Sequence, residues 1–403
     1  MTKPLRLATT LALLASGALA QQFDTSASAA YVLDVPTGTV LLEKNAEEPL
    51  PPASMSKLMT LYMAFEAIRD GRLGIDDELP VSAHAAAYGG SSMFLDTTDR
   101  VRVEDLLRGV IVLSGNDASA VLAEALSPDG TEAGFARLMT ERARELGMNQ
   151  STFLNSNGWP AEGHEMSMRD LGILAEHLIV EFPTYYPLFA EQEFKFDGRV
   201  PSNSQNRNPI LGLGIGADGL KTGHTEAAGY GLVGSAKQDG RRVIFVLSGM
   251  DSTAERAQES ERVVNWAFRQ FAEREVGPAG TRIAVADVWM GESQEVGLAL
   301  AEDLTLLVPV TERGDLQAEV RFDGPVEAPI TEGQTLGDLV ITLDGMPEMR
   351  VPLVAETSVA RGGFMPRMRT ATQVLMGKIG EATGGGDAAP AAQPEAPTDD
   401  EAA

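Results

Sequence analysis

The stretch DGLKTGHTEAAGYGLVGSAKQDGRRVIFVLS, residues 218–248, contains three apolar runs, at 219–225, 229–235 and 242–248. Short segments that hold Gly, Asp and small residues separate the runs. Apolar runs of this length between turn residues are typical of β-strands. We therefore predict three consecutive antiparallel strands over this stretch.

The rest of the first 275 residues predicts partners for these strands. Runs 31–34 and 38–42 flank turn residues and indicate a hairpin near the start of the chain. Apolar residues recur at helical steps over 57–67, 103–113, 118–126, 134–146, 171–180 and 259–271. The predicted fold class is α/β in the α+β sense. An antiparallel sheet is built from both ends of its domain, with helices on both faces and a helical insert.

The character of the chain changes near residue 277. Short β runs punctuated by Gly, Pro and Asp follow, at 282–288, 304–310, 316–322, 337–343 and 350–354. They predict a small all-β domain over 276–361, after a first domain over 21–275. The second domain holds no nucleophile and base pair, so we interpret it as a spacer or docking module.

The first 20 residues have the features of a signal peptide. Lys3 and Arg6 precede an apolar run at 11–14, and Ala18-Leu19-Ala20 forms a small-residue cleavage site. The apolar part is too short to span a bilayer, so cleavage before Gln21 and a periplasmic location are expected.

The C-terminal segment is treated as two parts. Residues 362–382 carry apolar side chains at helical spacing, which makes them a candidate amphipathic helix at the outer face of the inner membrane. Packing of this stripe on the β domain is the alternative. Residues 383–403, rich in Gly, Ala, Pro and acids, are predicted to be a disordered tail.

Composition excludes several functions. The 403-residue chain has a formal net charge of −26, which repels a polyanion and excludes nucleic acid as a partner. It has no cysteine, and its four histidines are scattered without metal-ligand spacing. We therefore expect no metal site.

A serine and a lysine three residues apart, Ser54 and Lys57, are the first candidate catalytic residues. Pro51 and Pro52 precede them and a helical pattern follows, so Ser54 lies near a helix N-terminus that favours a negative oxygen. A lysine acts as a base only after losing its proton, which burial or a second cation promotes. A helix N-cap is the alternative role for this serine.

The triplet Ser114-Gly115-Asn116 lies in a tight turn between two predicted helices. Ser114 is a candidate proton relay to a leaving nitrogen, and Asn116 a candidate anchor for Lys57 and a substrate amide. Simple turn and capping chemistry is the alternative.

The third motif, Lys221-Thr222-Gly223 followed by His224, lies in the first strand of the opening stretch. An edge strand with glycine can pair with an extended peptide, while a cation and a hydroxyl bind its carboxylate. The alternative is a polar edge strand whose lysine prevents pairing with the strand of another chain.

The order and spacing of the three motifs resemble the serine D-alanyl-D-alanine carboxypeptidases, the low-molecular-mass penicillin-binding proteins, in which Ser-x-x-Lys occurs with Lys-Thr-Gly. The likeness covers roughly residues 25–365. Several further segments resemble sequences of this family. They are 52–57, 91–95, 103–107, 113–118, 206–208 and 218–225, and in the second domain 343–345, 352–354 and 362–364.

The resemblance implies a serine β-lactamase/transpeptidase-like catalytic domain, and it implies a role for each matching residue. Ser54 would be the acylated nucleophile and Lys57 its base, with Ser114 and Asn116 as relay and anchor. The terminal carboxylate would be bound by Lys221 and Thr222, with Arg207 and Arg256 as further candidates, and the backbone N–H groups of Ser54 and His224 would form the oxyanion hole. The implied reaction removes the terminal D-alanine from peptidoglycan stem pentapeptides without a cofactor, with β-lactams as acylating inhibitors.

Three alternatives stay open at this point. A D,D-endopeptidase acting on peptidoglycan cross-links would share every catalytic residue. A class A β-lactamase would need a glutamate where Ser151 stands and an aspartate where Gly115 stands. A non-catalytic penicillin-binding fold would be expected to lack a motif residue.

Overall fold

Residues 218–248 form three adjacent antiparallel strands, as predicted, in a computed structural model that describes residues 23–310, 317–342 and 348–363. The main sheet is antiparallel throughout and has the order β2-β1-β7-β6-β5. The prediction of a sheet built from both ends of its domain is confirmed. The strands in this part of the chain are β1 (Ala29–Asp34), β2 (Thr39–Lys44), β3 (Glu78–Pro80), β4 (Arg100–Arg102), β5 (Ala217–Thr225), β6 (Gly229–Gln238), β7 (Arg241–Met250) and β8 (Phe271–Gly277).

The segment between β2 and β5 is largely helical, and a further helix follows β7. Serine and threonine side chains cap several helix N-termini. Thr131, for example, accepts a hydrogen bond from the Gly134 N–H. The helices are α1 (Lys57–Arg69), α2 (Ala83–Ala86), α3 (Val103–Arg108), α4 (Asn116–Leu126), α5 (Glu132–Glu145), α6 (Met168–Glu181) and α7 (Thr253–Arg269).

Strand β1 is buried on both faces because helices cover both sides of the sheet. Ala29, Tyr31 and Leu33 point into a core shared with α1 and α6. Ala30 and Val32 point the other way, into a core shared with α7. Alternate side chains of a strand point to opposite faces, so a continuous apolar run is what a doubly covered strand requires.

Helix α1 runs through the larger core and carries the first motif at its N-terminal end. Ten of its 13 residues are buried, including Lys57. A helix that is apolar on all sides is stable only when it is surrounded by protein. This burial places the lysine of the motif out of contact with water.

Two predicted helices differ from the observed ones. The helix predicted over 103–113 consists of α3 and a wider π-helical turn, Gly109–Leu113, that ends at Ser114 with φ +60°. Met93 packs where a side chain at Gly109 would lie, since a Cβ there would be 2.0 Å from its Sδ. The helix predicted to reach residue 271 ends at Arg269, and Phe271 begins β8.

The described residues divide into two units. The first comprises residues 23–274 and 305–310, and the second comprises 275–304, 317–342 and 348–363. Strand β11 lies within the sequence range assigned to the β domain, but it pairs with β8 and mostly belongs to the first unit. The second unit is built on a sheet of order β12-β14-β15-β10-β9-β13. Its strands, with β11, are β9 (Arg282–Trp289), β10 (Glu295–Leu300), β11 (Leu304–Pro309), β12 (Gln317–Phe322), β13 (Val326–Glu327), β14 (Thr335–Thr342) and β15 (Met349–Ala355).

The predicted signal peptide, most of the candidate amphipathic helix and the predicted tail lie outside the described residues. In the part of the chain that the structure describes, no helix has the length and hydrophobicity needed to cross a membrane.

Candidate active site

The turn that carries Ser54 packs closely against strand β5 at a glycine, where no side chain separates the two segments. Residues Ala53–Ser56 form a short 3-10 turn that leads into α1, and the Ser54 side chain is half-buried. A Cβ on Gly223 would lie 3.0 Å from both Met55 Cγ and the Pro52 carbonyl oxygen. The glycine of the third motif therefore lets the serine turn approach β5 closely.

Lys57 is fully buried and has three oxygen partners. Its Nζ lies 2.8 Å from Ser54 Oγ, 2.8 Å from Asn116 Oδ1 and 2.6 Å from the Asn157 carbonyl oxygen. Burial, followed by the nearby Arg207 guanidinium, lowers the pKa of Lys57 to about 7. A substantial fraction of this amine is thus uncharged at neutral pH.

The identity of the three partners determines where the lone pair of the neutral amine points. The carbonyl oxygens of Asn116 and Asn157 can only accept, so each takes one of the two N–H bonds that remain. The Ser54 hydroxyl can donate as well as accept. The neutral lysine is therefore arranged to accept the Ser54 proton, which is the geometry of a nucleophile and its base.

Ser114 and Lys221 join the second and third motifs. Lys221 Nζ donates to Ser114 Oγ at 2.9 Å and to the Thr222 carbonyl oxygen at 3.1 Å. Burial, then the charges of Lys57, Arg207 and Arg256, lowers the pKa of Lys221 well below its ordinary value. The left-handed backbone at Ser114 is a strained conformation that costs about 1–3 kcal/mol, and such strain is concentrated at functional sites.

Asn116 is held so that its oxygen faces Lys57. Its Nδ2 donates to the Gly89 carbonyl oxygen at 2.8 Å, and its backbone N–H donates to the Ser91 carbonyl oxygen at 2.8 Å. The residue is therefore held at its backbone and at its side-chain nitrogen, and Oδ1 is directed at Lys57.

The two predicted arginines lie near the second and third motifs. Arg207 donates to Ser91 Oγ at 2.6 Å and to the Leu113 carbonyl oxygen at 3.2 Å. Arg256 donates to the Arg207 carbonyl oxygen at 3.4 Å, and its buried Nε has no hydrogen-bond partner among the described residues. The exposed His224 stacks on Tyr230, with ring centroids 3.9 Å apart.

Residues 155–159, which belong to none of the three motifs, form a loop beside Lys57. Asn155 Oδ1 accepts from the backbone N–H groups of Asn157, Gly158 and Trp159 at 2.8–3.3 Å. This fold of the loop presents the Asn157 carbonyl oxygen to Lys57. A backbone carbonyl leaves no side-chain signature, so only the turn-forming residues of this loop are visible in the sequence.

A buried histidine supports the serine turn. His164 Nδ1 accepts from the Leu154 N–H at 3.3 Å, so its Nε2 carries the proton and donates to Ser56 Oγ at 2.8 Å. Burial, then the charge of Lys57, lowers the pKa of His164 to about 4. This histidine is neutral in the folded protein and packs under the site.

An open cavity of about 300 Å³ lies at the far end of the site from Lys221. Ala53, Trp159 and Thr225 are among its lining residues. Because Thr225 is the last residue of β5, a chain laid along this strand from Lys221 would reach the cavity.

Comparison with models of known protein families assigns the chain to a family. A model described as D-alanyl-D-alanine carboxypeptidase matches residues 16–252, more than half of the chain. The chain belongs to this family. A second model, described as the C-terminal domain of penicillin-binding protein 5, matches residues 271–361.

Individual relatives of the D-alanyl-D-alanine carboxypeptidase family agree. D-alanyl-D-alanine carboxypeptidase DacC of Escherichia coli is 35% identical over 85% of this chain and 86% of its own length. DacF of Bacillus subtilis is 34% identical over 84% of this chain and 87% of its own length. The structure of penicillin-binding protein 5 from Haemophilus influenzae aligns with a TM-score of 0.73 at 31% identity, over 84% of this chain and 98% of that one. The expected family and fold class are confirmed.

Proposed function

We propose that this protein is a serine D,D-carboxypeptidase that removes the terminal D-alanine from peptidoglycan stem peptides. One observation carries the proposal: Lys57 Nζ lies 2.8 Å from Ser54 Oγ, with both other partners of the amine obligate acceptors. The names and matched lengths of the relatives support the substrate class.

The first chemical step forms an acyl-enzyme on Ser54. Neutral Lys57 takes the hydroxyl proton while Oγ attacks the carbonyl carbon of the penultimate residue. The backbone N–H groups of Ser54 and His224 stabilise the oxyanion. As the peptide bond breaks, the Ser114 hydroxyl gives its proton to the leaving D-alanine nitrogen and receives the proton held by Lys57, so both groups return to their neutral forms. Water then attacks the ester while Lys57 takes one of its protons, and Lys57 returns that proton to Ser54 Oγ as the shortened peptide leaves.

Substrate orientation follows from charge and strand direction. Lys221, Thr222, Arg207 and Arg256 bind the terminal carboxylate, and the extended peptide lies along the edge of β5. The chain of the peptide then continues toward Thr225 and the adjoining cavity. A carboxylate beside this group of cations offsets the cost of burying them.

The test is covalent labelling of the mature protein with a fluorescent penicillin, followed by intact mass and peptide mapping. A stable adduct on Ser54, absent in Ser54→Ala, is the expected result. Rapid loss of the drug without an adduct would indicate a β-lactamase, and an intact drug without an adduct would overturn the proposed chemistry.

A second assay identifies the bond that is cut. A stem pentapeptide and a cross-linked peptide dimer are supplied separately, and products are separated by mass. Release of D-alanine from the pentapeptide at the higher kcat/KM is expected. Faster cleavage of the dimer would instead assign D,D-endopeptidase activity.

We propose further that the protein acts in the periplasm and touches the inner membrane through residues 362–382. The support is the apolar stripe of that segment. The test is pelleting with anionic liposomes at low and high salt, with and without residues 361–403. Loss of pelleting on truncation is expected, and equal pelleting of both forms would overturn the membrane contact.

A further inference from the structure

A buried carboxylate outside the three motifs lies behind the base. Glu132 is the first residue of α5, and only 6% of its surface is exposed. We propose that Glu132 is a positioning residue that holds, through two separate loops, both carbonyl oxygens bound by Lys57. This inference rests on the proposed function, because it assigns the support of the base used there.

The first loop is the one that presents Asn157. Glu132 Oε1 accepts from the Ser156 N–H at 2.9 Å, from the Ser156 hydroxyl at 2.5 Å and from Asn157 Nδ2 at 3.4 Å. On α1, the Thr60 hydroxyl donates to the Ser156 carbonyl oxygen at 2.6 Å. Ser156, the residue before Asn157, is thus held at both its N–H and its C=O group, and the next carbonyl points at Lys57.

The second loop is the one that orients Asn116. Glu132 Oε2 accepts from the Tyr88 hydroxyl at 2.6 Å and contacts His84 Nε2 at 2.7 Å. The residue after Tyr88 is Gly89, whose carbonyl oxygen accepts from Asn116 Nδ2. The two carboxylate oxygens therefore have separate roles. Oε1 supports the loop that presents the Asn157 carbonyl, and Oε2 supports the loop that orients Asn116.

The carboxylate is ionised in this environment. Burial acts to raise the pKa of Glu132, but hydrogen bonds from Ser156, Tyr88 and His84 outweigh it, so the pKa lies below its ordinary value. An acid in the first turn of a helix is commonly explained by the helix dipole alone. The helix dipole alone does not account for Glu132, because this carboxylate is also buried and accepts hydrogen bonds from two other loops.

Glu132 also contributes to the charge balance around Lys57. Burial, and then Arg207, lower the pKa of Lys57, whereas Asp117 on α4 and Glu132 on α5 raise it. Lys221 on β5 and His164 beneath the serine turn are also close to this amine. The charge of Lys57 lowers the pKa of both residues. Removing the Glu132 charge therefore lowers the pKa of Lys57 further.

The test is the pH dependence of penicillin acylation and of pentapeptide turnover in Glu132→Gln, an isosteric variant without the charge. We expect kcat to fall about tenfold or more with KM changed less than about threefold, because the base is misplaced and the carboxylate site is not. We also expect the ascending limb of the rate against pH to move to lower pH by roughly half a unit or more.

The matched control is Glu259→Gln. Glu259 is a buried carboxylate on α7 that accepts from the Thr25 hydroxyl at 2.7 Å, and it does not contact Lys57 or its partners among the described residues. The Glu259→Gln variant is expected to have a lower melting temperature. Its acylation rate and the pH position of the ascending limb are expected to be unchanged.

A second variant separates positioning from general stability. Tyr88→Phe removes one donor to Oε2 and leaves the charge, so kcat is expected to fall severalfold without movement of the limb. A folded Tyr88→Phe and a folded Glu132→Gln with wild-type rates and limbs would overturn the inference. Absence of acylation in the wild-type protein would instead overturn the proposed function.

Discussion

The Cα of Gly158 lies directly against the carbonyl oxygen of Ala53, in a space that no side chain can share. A Cβ on Gly158 would lie 1.8 Å from that oxygen, and φ at this glycine is +77°. The loop that supplies the Asn157 carbonyl therefore packs against the residue that precedes Ser54. The same contact positions both the carbonyl partner of Lys57 and the turn that carries Ser54.

Gly158→Ala is expected to separate the loop from the serine turn and to reduce the acylation rate at least tenfold, or about 1.4 kcal/mol in activation free energy. The measurement is the second-order rate constant for a fluorescent penicillin. Gly163→Ala is the matched control a few residues after this loop, with φ +85° and its nearest neighbour, Leu154 Cδ1, 4.0 Å away. It should lose about 1–2 kcal/mol of stability from backbone strain and keep its acylation rate. Equal rates in both variants would contradict the contact.

The acylation rate is expected to rise with pH through a limb centred near pH 7. Only neutral Lys57 accepts the Ser54 proton, and its pKa is about 7, so the rate should fall about tenfold per unit well below that value. Stopped-flow acylation between pH 5 and 9 measures the limb. Lys57→Arg should remove it together with at least about a hundredfold of rate, because a guanidinium stays charged over this range. A flat profile in the wild type would exclude Lys57 as the titrating base.

His164 is expected to make the folded protein acid-sensitive below pH 6.5. Its pKa falls from the ordinary 6.5 to about 4 on folding, so the unfolded chain binds the proton more tightly between these values. Its contribution to the free energy of unfolding is fully present above pH 6.5 and is lost as pH falls to 4, by about 3 kcal/mol. Urea unfolding at pH 7 and pH 4.5 measures the loss. His164→Gln, whose Nε2 can still reach Ser56, should show a smaller difference between the two pH values, and an unchanged difference would contradict the assignment.

The buried ion pair of Asp34 and Arg241 is expected to be essential for stability. Asp34 is fully buried, and its Oδ2 lies 2.5 Å from Arg241 Nε. Asp34→Ala leaves the guanidinium buried without its counter-charge, which costs about 3–5 kcal/mol. Thermal unfolding measures this cost. The control is Asp24→Ala, which breaks an exposed pair with Lys44 at 3.7 Å and should change stability by no more than about 1 kcal/mol.

Local sequence pattern was sufficient for most of the first domain. Apolar runs between turn residues located β5, β6 and β7, because a strand covered by helices on both faces needs a continuous apolar run. The same reading missed the π-helical turn before Ser114. Helical spacing continues through Gly109–Leu113, and only the packing of Met93 against Gly109 distinguishes that turn from a regular helix.

By itself, the sequence determined which side chains could perform the chemistry. Ser54 with Lys57, Ser114 with Asn116, and Lys221 carry functional groups that are recognisable by type, spacing and order. The tertiary structure alone decided the Asn157 carbonyl that binds Lys57, the closeness of Gly158 to Ala53 and the convergence of two loops on Glu132. The reason is physical: a pKa or the direction of a backbone carbonyl depends on burial and on neighbours distant in the chain, such as Asn157, which lies 100 residues after Lys57. No local pattern of residues records either quantity.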